Sequence, residues 1–196
     1  MESHNSDKSA LCARTGVDLG FSAEEKEMLR EMAFEAIRRR CLGEAMPDTE
    51  VEAPRLKEPG AAFVCIHKDG DLRGCIGMIE ARAPLCDTVK TMAVEAAFRD
   101  PRFFALSVDE LDKIDIEISV LTPMQRISDT SEIEIGKHGL FIRKGNRSGL
   151  LLPQVATENG WDREQFLRWT CMKAGLSEKA WKEKNVEIYI FSADVF

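Results

Sequence analysis

Alternating hydrophobic and polar residues predict β-strands at several places in this chain. The clearest pair is AAFVCIH (61–67) followed by LRGCIGMI (72–79), with Lys68-Asp69-Gly70-Asp71 between them. Asp-Gly supplies the positive φ angles of a two-residue type I′ turn, so this pattern predicts a β-hairpin. A second hairpin is predicted over residues 139–154, and further strands are predicted at 114–121 and 186–191.

Apolar residues at helical spacing, bounded by capping motifs, predict the helices. Ser22-x-x-Glu25 has the form of a capping box, and Gly43 supplies a C-terminal stop for the helix that follows. Pro84 suits the first turn of a second helix. Shorter helices are predicted to begin at Ser107-x-x-Glu110, Asp162-x-x-Gln165 and Ser177.

The order of these elements is β-β-α-α-β in both halves of the chain. We therefore predict an α+β fold of two similar halves, at about 61–121 and 139–191, around a mostly antiparallel sheet with helices packed on one face. Residues 1–20 are polar and show no periodicity, which predicts a flexible leader before a single domain at 21–196.

Composition and charge exclude several classes of protein. Lys and Arg number 27 against 34 Asp and Glu, for a formal net charge of −7, which disfavours binding to nucleic acid. No apolar run reaches the roughly 20 residues of a membrane helix, and no export signal is visible, so we expect a cytoplasmic protein. The six cysteines form no CxxC motif and predict no metal site. Most are expected to be reduced core residues.

Strand alternation collects chemically active residues on one face of the predicted sheet. The apolar, helix-packing residues of the second strand are Leu72, Gly74, Ile76 and Met78. Arg73 and Cys75 then project from the opposite face. Strand 114–121 presents Asp115, Glu117 and Ser119 on that face, because its isoleucines occupy the core side. If the two strands share a sheet, these groups form the floor of a pocket.

Cys75 is the residue that we single out for chemistry. A cation nearby, here Arg73, lowers the pKa of a thiol and makes it a better nucleophile. The alternative is structural: Gly74-Cys75-Ile76-Gly77 is a strand whose small residues allow another backbone or side chain to approach closely. Both interpretations stay open at this point.

The length of the first hairpin turn decides whether Cys65 can face Cys75. A two-residue turn at Asp69-Gly70 sets Cys75 opposite Val64 and turns Cys65 to the other face. A three-residue turn would set Cys65 opposite Cys75. Asp-Gly favours the two-residue turn, so we predict that the two cysteines are not opposite one another.

Five strings taken together resemble the AMMECR-domain family, the A component of the AmmeMemoRadiSam system. The resemblance extends over about residues 25–191. The strings are LRGCIG (72–77), AAFRDPRF (96–103), IEIS (116–119), HGL with GLLLPQV (138–155), and FLRWTCMKAGL with a later Trp (166–181).

This resemblance implies an α+β protein of two intertwined subdomains around antiparallel sheet. It also implies partner proteins, because family members are often encoded beside, or fused to, a Memo-like protein and a radical S-adenosylmethionine protein. It does not specify a reaction or a cofactor.

The strand faces and the resemblance together define the candidate site. We take Cys75 and Glu117 as catalytic candidates, the first as a reactive thiol and the second as an acid or base. The candidates for substrate binding are Arg73, Gly74, Gly77, Ser119, Asp100, Arg102 and Gln154, with Arg73 orienting an anionic group. The competing hypothesis is a non-catalytic adaptor that docks a protein partner around residues 100–104.

Overall fold

A computed structural model describes residues 16–45 and 51–196. Most of the predicted leader, with Cys12, lies outside the described residues. Within residues 16–20, the backbone N–H groups of Gly16 and Val17 donate to the carbonyl oxygens of Gly136 and Ala193, at 2.7 and 2.8 Å. In the described residues no helix is long and apolar enough to cross a membrane.

The described chain divides into two compact units. We call residues 18–123 and 194–196 the N-unit, and residues 16–17 and 124–193 the C-unit. Each unit has antiparallel strands, helices and a hydrophobic core of its own, which confirms the predicted α+β class.

The N-unit is a three-stranded antiparallel sheet packed against two helices. Its elements are α1 (Ala23–Leu42), β1 (Ala61–Lys68), β2 (Asp71–Met78), α2 (Leu85–Phe98) and β3 (Ile114–Leu121), and β1 lies between β2 and β3. Val64 and Ile66 of β1 and Ile118 of β3 are fully buried in the core, together with Ala33 and Ile37 of α1. The predicted core side of β3 is therefore confirmed.

The predicted capping motifs form as expected. Ser22 and Glu25 make a reciprocal capping box at the start of α1, and Gly43, with φ 71°, ends that helix in the left-handed region. Ser107 and Glu110 make a second capping box, but the segment that follows is a 3-10 helix, Val108–Lys113, rather than an α-helix.

The last residues of the chain complete the N-unit. Ile118 in β3 donates its N–H to the carbonyl of Phe196 at 2.8 Å and accepts from the Phe196 N–H at 3.0 Å. The carboxylate of Asp194 accepts from Lys26 Nζ at 2.7 Å and from the Leu19 N–H at 3.0 Å. Residues 194–196 thus bind to elements that lie some 70 residues or more earlier in sequence.

The first hairpin has the predicted turn but not the predicted register. Asp69 and Gly70 have φ angles of 53° and 86°, as a two-residue turn requires, and Lys68 faces Asp71 across it. The pairing then shifts by one residue between Ile66 and His67, so that Ile66 faces Gly74 and every later pair moves with it. A β-bulge of this kind adds one residue to one strand, here to β2.

The bulge overturns two predictions from the sequence. Cys65 lies opposite Cys75, whereas Val64 lies opposite Ile76. Leu72, predicted to face the core, is 40% exposed because the strict alternation of β2 is interrupted just after it. The remaining apolar residues of β2, Ile76 and Met78, do pack against the core.

The C-unit is a four-stranded antiparallel arrangement in the order β6-β5-β7-β4. Its elements are β4 (Gln125–Ile127), β5 (His138–Lys144), β6 (Arg147–Leu151), α3 (Pro153–Glu158), α4 (Arg163–Lys173) and β7 (Glu187–Val195), the last ending in the N-unit. Leu140 and Ile142 of β5 pack with Phe166 of α4 in the core. The short strand β4 was not predicted, because three residues are too few to show alternation.

Gly74 allows β2 and α2 to pack closely. A Cβ atom at this position would overlap the carbonyl oxygen of Ala96 in α2, which is backbone and cannot rotate away. We expect Gly74→Ala to lower the free energy of unfolding by about 2 kcal/mol, the range seen when a well-packed core is overfilled. Chemical denaturation followed by circular dichroism measures this. The control is Leu72→Ala on the same strand, which should cost less than about 1 kcal/mol; an equal cost for both would contradict the packing argument.

Candidate functional site

The face of the N-unit sheet that lies away from the helices carries the predicted catalytic pair. Across this face Cys75 of β2 lies opposite Cys65 of β1, and Cys65 lies opposite Glu117 of β3. The next row places Ser119 opposite Phe63. The two strands therefore do share a sheet, and Cys75, Glu117 and Ser119 lie on one face of it.

Cys65 and Cys75 form a disulfide, with their Cα atoms 4.1 Å apart. This contradicts the expectation that the two cysteines are not opposite one another, and the one-residue bulge is the reason. In this state Cys75 is not a free nucleophile. Cys65 is 7% exposed, whereas Cys75 on the outer strand is partly exposed.

Asp100 and Arg102 occupy the free edge of β2 beside Cys75. The carboxylate of Asp100 accepts from the Cys75 N–H at 2.9 Å, and Arg102 Nη2 donates to the Cys75 carbonyl oxygen at 3.4 Å. An edge strand presents N–H and C=O groups without strand partners. The two side chains provide partners for both groups of Cys75 and so hold this residue in place.

The Asp100 carboxylate is itself well held. It is 4% exposed and accepts from Arg102 Nε at 2.9 Å, from Arg102 Nη2 at 2.6 Å and from the Arg102 backbone N–H at 3.1 Å. The Arg102 guanidinium, followed by the N–H groups of Cys75 and Arg102, holds the pKa of Asp100 well below its usual range. Asp100 and Arg102, predicted to bind substrate, thus support the backbone of Cys75.

Alternation predicted that Arg73 would share the polar face with Cys75, and this prediction is wrong. Its Nε and Nη2 atoms donate to the two carboxylate oxygens of Glu110, each at 3.0 Å. Lys68 Nζ donates to the same carboxylate at 2.9 Å. Lys68 lies on the same face of β1 as the core residues Val64 and Ile66, because the three alternate along the strand. The Glu110 carboxylate that Lys68 and Arg73 share therefore lies toward the helix side of the sheet.

The bulge explains this position of Arg73, since the residue inserted into a strand leaves the regular alternation. A bidentate pair with a carboxylate occupies two of the three guanidinium nitrogens. The third, Nη1, is buried without a hydrogen-bond partner among the described residues. The guanidinium carbon lies 5.9 Å from the centre of the Phe103 ring. Arg73 therefore connects β2 to the loop that carries Asp100 and Arg102.

Glu110 was identified from the sequence only as a helix cap, and its role in this network was missed. Its carboxylate accepts from the backbone N–H and the hydroxyl of Ser107, both at 3.1 Å, in addition to Arg73 and Lys68. The Arg73 guanidinium is the largest cause that holds the pKa of Glu110 well below its usual range, and Lys68 adds to it. The capping motif at Ser107 was the available signal for Glu110. No sequence pattern indicates that Arg73 and Lys68 pair with it.

Gly74 and Gly77 were predicted to contact substrate, and both are closely packed. Gly74 lies against the backbone of α2, and a Cβ atom at Gly77 would overlap the ring of Phe63. Ser119 is 1% exposed. Gln154 lies in α3 of the C-unit, whereas the other candidates lie in the N-unit. The pocket expected above LRGCIG stays a prediction.

Cys65 is the site residue that sequence reasoning set aside. The two-residue turn is present, but the register extrapolated from it is wrong, because no local sequence pattern indicates a bulge at Arg73. As for metals, within residues 16–45 and 51–196 no group of three His, Cys, Asp or Glu side chains is arranged to hold an ion.

Fold and site define an α+β protein whose distinctive feature is a cysteine pair on neighbouring strands beside an Asp-Pro-Arg-Phe loop. The AMMECR1 family model matches residues 30–196, and the chain belongs to this family. It is 46% identical to an Aeropyrum pernix protein over 157 residues, 75% of this chain and 68% of the relative. It is 41% identical to a Methanopyrus kandleri protein over 182 residues, 88% of each chain.

A solved structure supports the fold. The crystal structure of the uncharacterized protein PH0010 from Pyrococcus horikoshii superposes with a TM-score of 0.83 at 36% identity, and the match covers 86% of this chain and 89% of that one.

The Glu110 network predicts a loss of stability in acid. Because the pKa of Glu110 is lower in the folded chain than its ordinary value of 4.5, its stabilisation is present above that value and is lost as the pH falls below it. Glu110→Gln should lower the free energy of unfolding at pH 7 by about 3 kcal/mol and flatten its decline between pH 5 and pH 3.

Urea denaturation at a series of pH values measures this slope. The exposed Glu31 provides a matched control, since Glu31→Gln should retain the profile of the unsubstituted chain. Asp100 contributes a slope of the same sign, so part of the decline should remain in Glu110→Gln. An unchanged profile in Glu110→Gln would show that the Arg73 pair does not stabilise the fold.

Proposed function

We propose that this AMMECR1-family chain is a thiol-dependent enzyme whose reactive centre is the pair Cys65 and Cys75. We further propose that it works with a Memo-like protein and a radical S-adenosylmethionine protein, as an A component of an AmmeMemoRadiSam-type system. The observation that carries the proposal is the direct opposition of Cys65 and Cys75 on neighbouring strands, which makes a reversible disulfide possible. The partner assignment rests on the family alone.

The surroundings of Cys75 suit an exchange reaction. Cys75 is on the outer strand and is more exposed than Cys65, so an incoming thiolate reaches its sulfur first. The Arg102 guanidinium donates to the Cys75 carbonyl oxygen and is paired with Asp100 at 2.6 Å, so these two side chains hold Cys75 in position at the edge of the sheet. Glu117, in register with Cys65, is the group that we assign to accept or return a proton.

The exchange proceeds in two balanced steps. A substrate thiolate attacks Cys75 Sγ, the Cys65–Cys75 bond breaks, and Cys65 leaves as a thiolate. A second thiolate of the same substrate then attacks the mixed disulfide and releases Cys75. The substrate dithiol is oxidised to a disulfide by two electrons, and the cysteine pair is reduced to two thiols. Exchange in the reverse direction with a second substrate that carries a disulfide re-forms the Cys65–Cys75 bond and completes the cycle. In the cytoplasm of mesophiles, protein disulfides are usually transient and catalytic or redox-sensing.

Alkylation of the intact chain tests this proposal. After reduction, Cys75 should react with iodoacetamide at least tenfold faster at pH 7 than Cys41, Cys86 or Cys171, followed by peptide mass spectrometry. Burial raises the pKa of each of these three thiols, which lowers the fraction present as the reactive thiolate at pH 7. Cys65→Ser removes the resolving thiol. Its Cys75 thiolate should attack a linear model disulfide, oxidised glutathione, release one glutathione thiolate and stay trapped as the mixed disulfide, whereas Cys86→Ser should resolve that mixed disulfide normally. If Cys75 reacts no faster than the buried thiols, the reactive centre is wrong.

A second candidate function, the adaptor, is favoured by one observation on the same loop. Phe104 is 93% exposed, although the loop that carries it is held by the hydrogen bonds of Asp100. Val108, nearby in sequence, is 51% exposed. An aromatic side chain presented to solvent by an ordered loop is suited to docking a protein partner.

The adaptor hypothesis predicts that partner binding depends on Phe104 and not on Cys75. Phe104→Ala should abolish co-purification with a Memo-like protein while Cys75→Ser leaves it unchanged. Met172→Ala, which alters a residue 41% exposed in the C-unit, is the control and should bind normally. Retained binding by Phe104→Ala would exclude this surface as the docking site, and circular dichroism checks that each variant is folded.

A further inference from the structure

A cavity in the C-unit is lined by none of the residues assigned above. It measures about 690 Å³ and is formed by the short strand β4, the turn that follows it, residues 181–184 and the start of β7. Pockets for small molecules commonly have volumes of about 300–1,000 Å³. The cavity is therefore large enough to hold a ligand of nucleotide size.

The charged groups around this cavity leave a cationic surplus. Three cations line it, Arg126, Lys182 and Lys184, against two carboxylates, those of Asp129 and Glu183. Both carboxylates are already engaged. Asp129 accepts from the Ser131 N–H at 2.7 Å, and Glu183 is paired at 2.6 Å with a lysine that does not line the cavity, Lys144.

The ion pairs of the cations, by contrast, are long or absent among the described residues. Arg126 is 3.6 Å from Glu187 and Lys182 is 3.6 Å from Glu164, at the long end of ion-pair distances. Lys184 is exposed and takes part in no ion pair with another described residue. In a chain of net charge −7, this concentration of available positive charge favours an anionic ligand.

The same cavity has one aromatic wall. Trp181 lines it and packs partly against the core of the C-unit, which holds the indole in place. Ile127 and Val186 add apolar surface. Lys182 Nζ lies 4.6 Å from the centre of this ring, so a planar ligand contacts the edge of the indole or takes the place of that lysine over its face. The lining therefore combines a surface for a flat ring with a group of cations.

We propose that this cavity binds a planar, ring-bearing anion of nucleoside monophosphate size, with its ring against Trp181 and its anionic group held by Lys184 and Arg126. The site is independent of the cysteine pair. The backbone groups on the free edge of β4 supply further hydrogen-bond partners. A ligand that has both a flat ring and an anionic group would use both parts of this lining.

Titration of the full chain with adenosine 5′-monophosphate tests this site. The nucleotide should quench tryptophan fluorescence, excited at 295 nm, in a saturable way at up to a few millimolar ligand. Trp181→Phe should remove the quenching. The fluorescence of Trp161 and Trp169, which do not line the cavity, remains measurable in this variant. Lys184→Met should weaken binding at least tenfold, whereas Lys173→Met, which changes an exposed lysine of α4 outside the cavity, should leave it unchanged.

Two further ligands separate the contributions of ring and anion. Adenosine and inorganic phosphate should each bind at least tenfold more weakly than the monophosphate. Amide shifts in a nitrogen–proton correlation spectrum should cluster at 126–130 and 181–184. No saturable binding, shifts located elsewhere, or equal binding by Lys184→Met and Lys173→Met would overturn the proposal. None of these outcomes depends on whether Cys75 is reactive.

Discussion

The extra residue in β2 is the constraint on which the N-unit site depends. Without it, the pairing that begins at the Asp69-Gly70 turn would continue, and Cys75 would face Val64. With it, Cys75 faces Cys65, and Arg73 leaves the polar face to join Glu110. One inserted residue therefore brings the two sulfur atoms together and also separates them from the guanidinium that the regular pattern would have placed beside them.

Buried ionic groups connect this strand to the segments that follow it. Glu110 holds Arg73 and Lys68 together with its own capping residue, and Asp100 holds Arg102 while it accepts from the Cys75 backbone. Both carboxylates are nearly buried, so each depends on its full set of donors. The Asp-Pro-Arg-Phe loop is thereby part of the strand edge, and a change at Asp100 reaches Cys75 through a hydrogen bond already formed.

Local signals predicted most of the elements, and long-range ones remained hidden. The capping boxes at Ser22 and Asp162, the Asp-Gly turn and the apolar sides of the strands act over a few residues, so the sequence displays them directly. The shared face of Cys75 and Glu117 also followed from alternation. The bulge at Arg73 and the partners of Glu110 and Asp100 depend on contacts between distant segments, and no local pattern encodes these.

The return of residues 194–196 to β3 has a consequence for how the chain acquires its structure during synthesis. The N-unit contains most of the first half of the chain, yet Ile118 obtains its partner at Phe196 and Lys26 obtains Asp194 only after the whole C-unit segment has been made. Folding in strict order from the N-terminus therefore leaves the first unit incomplete while the ribosome translates residues 124–193. Its final strand contacts form last.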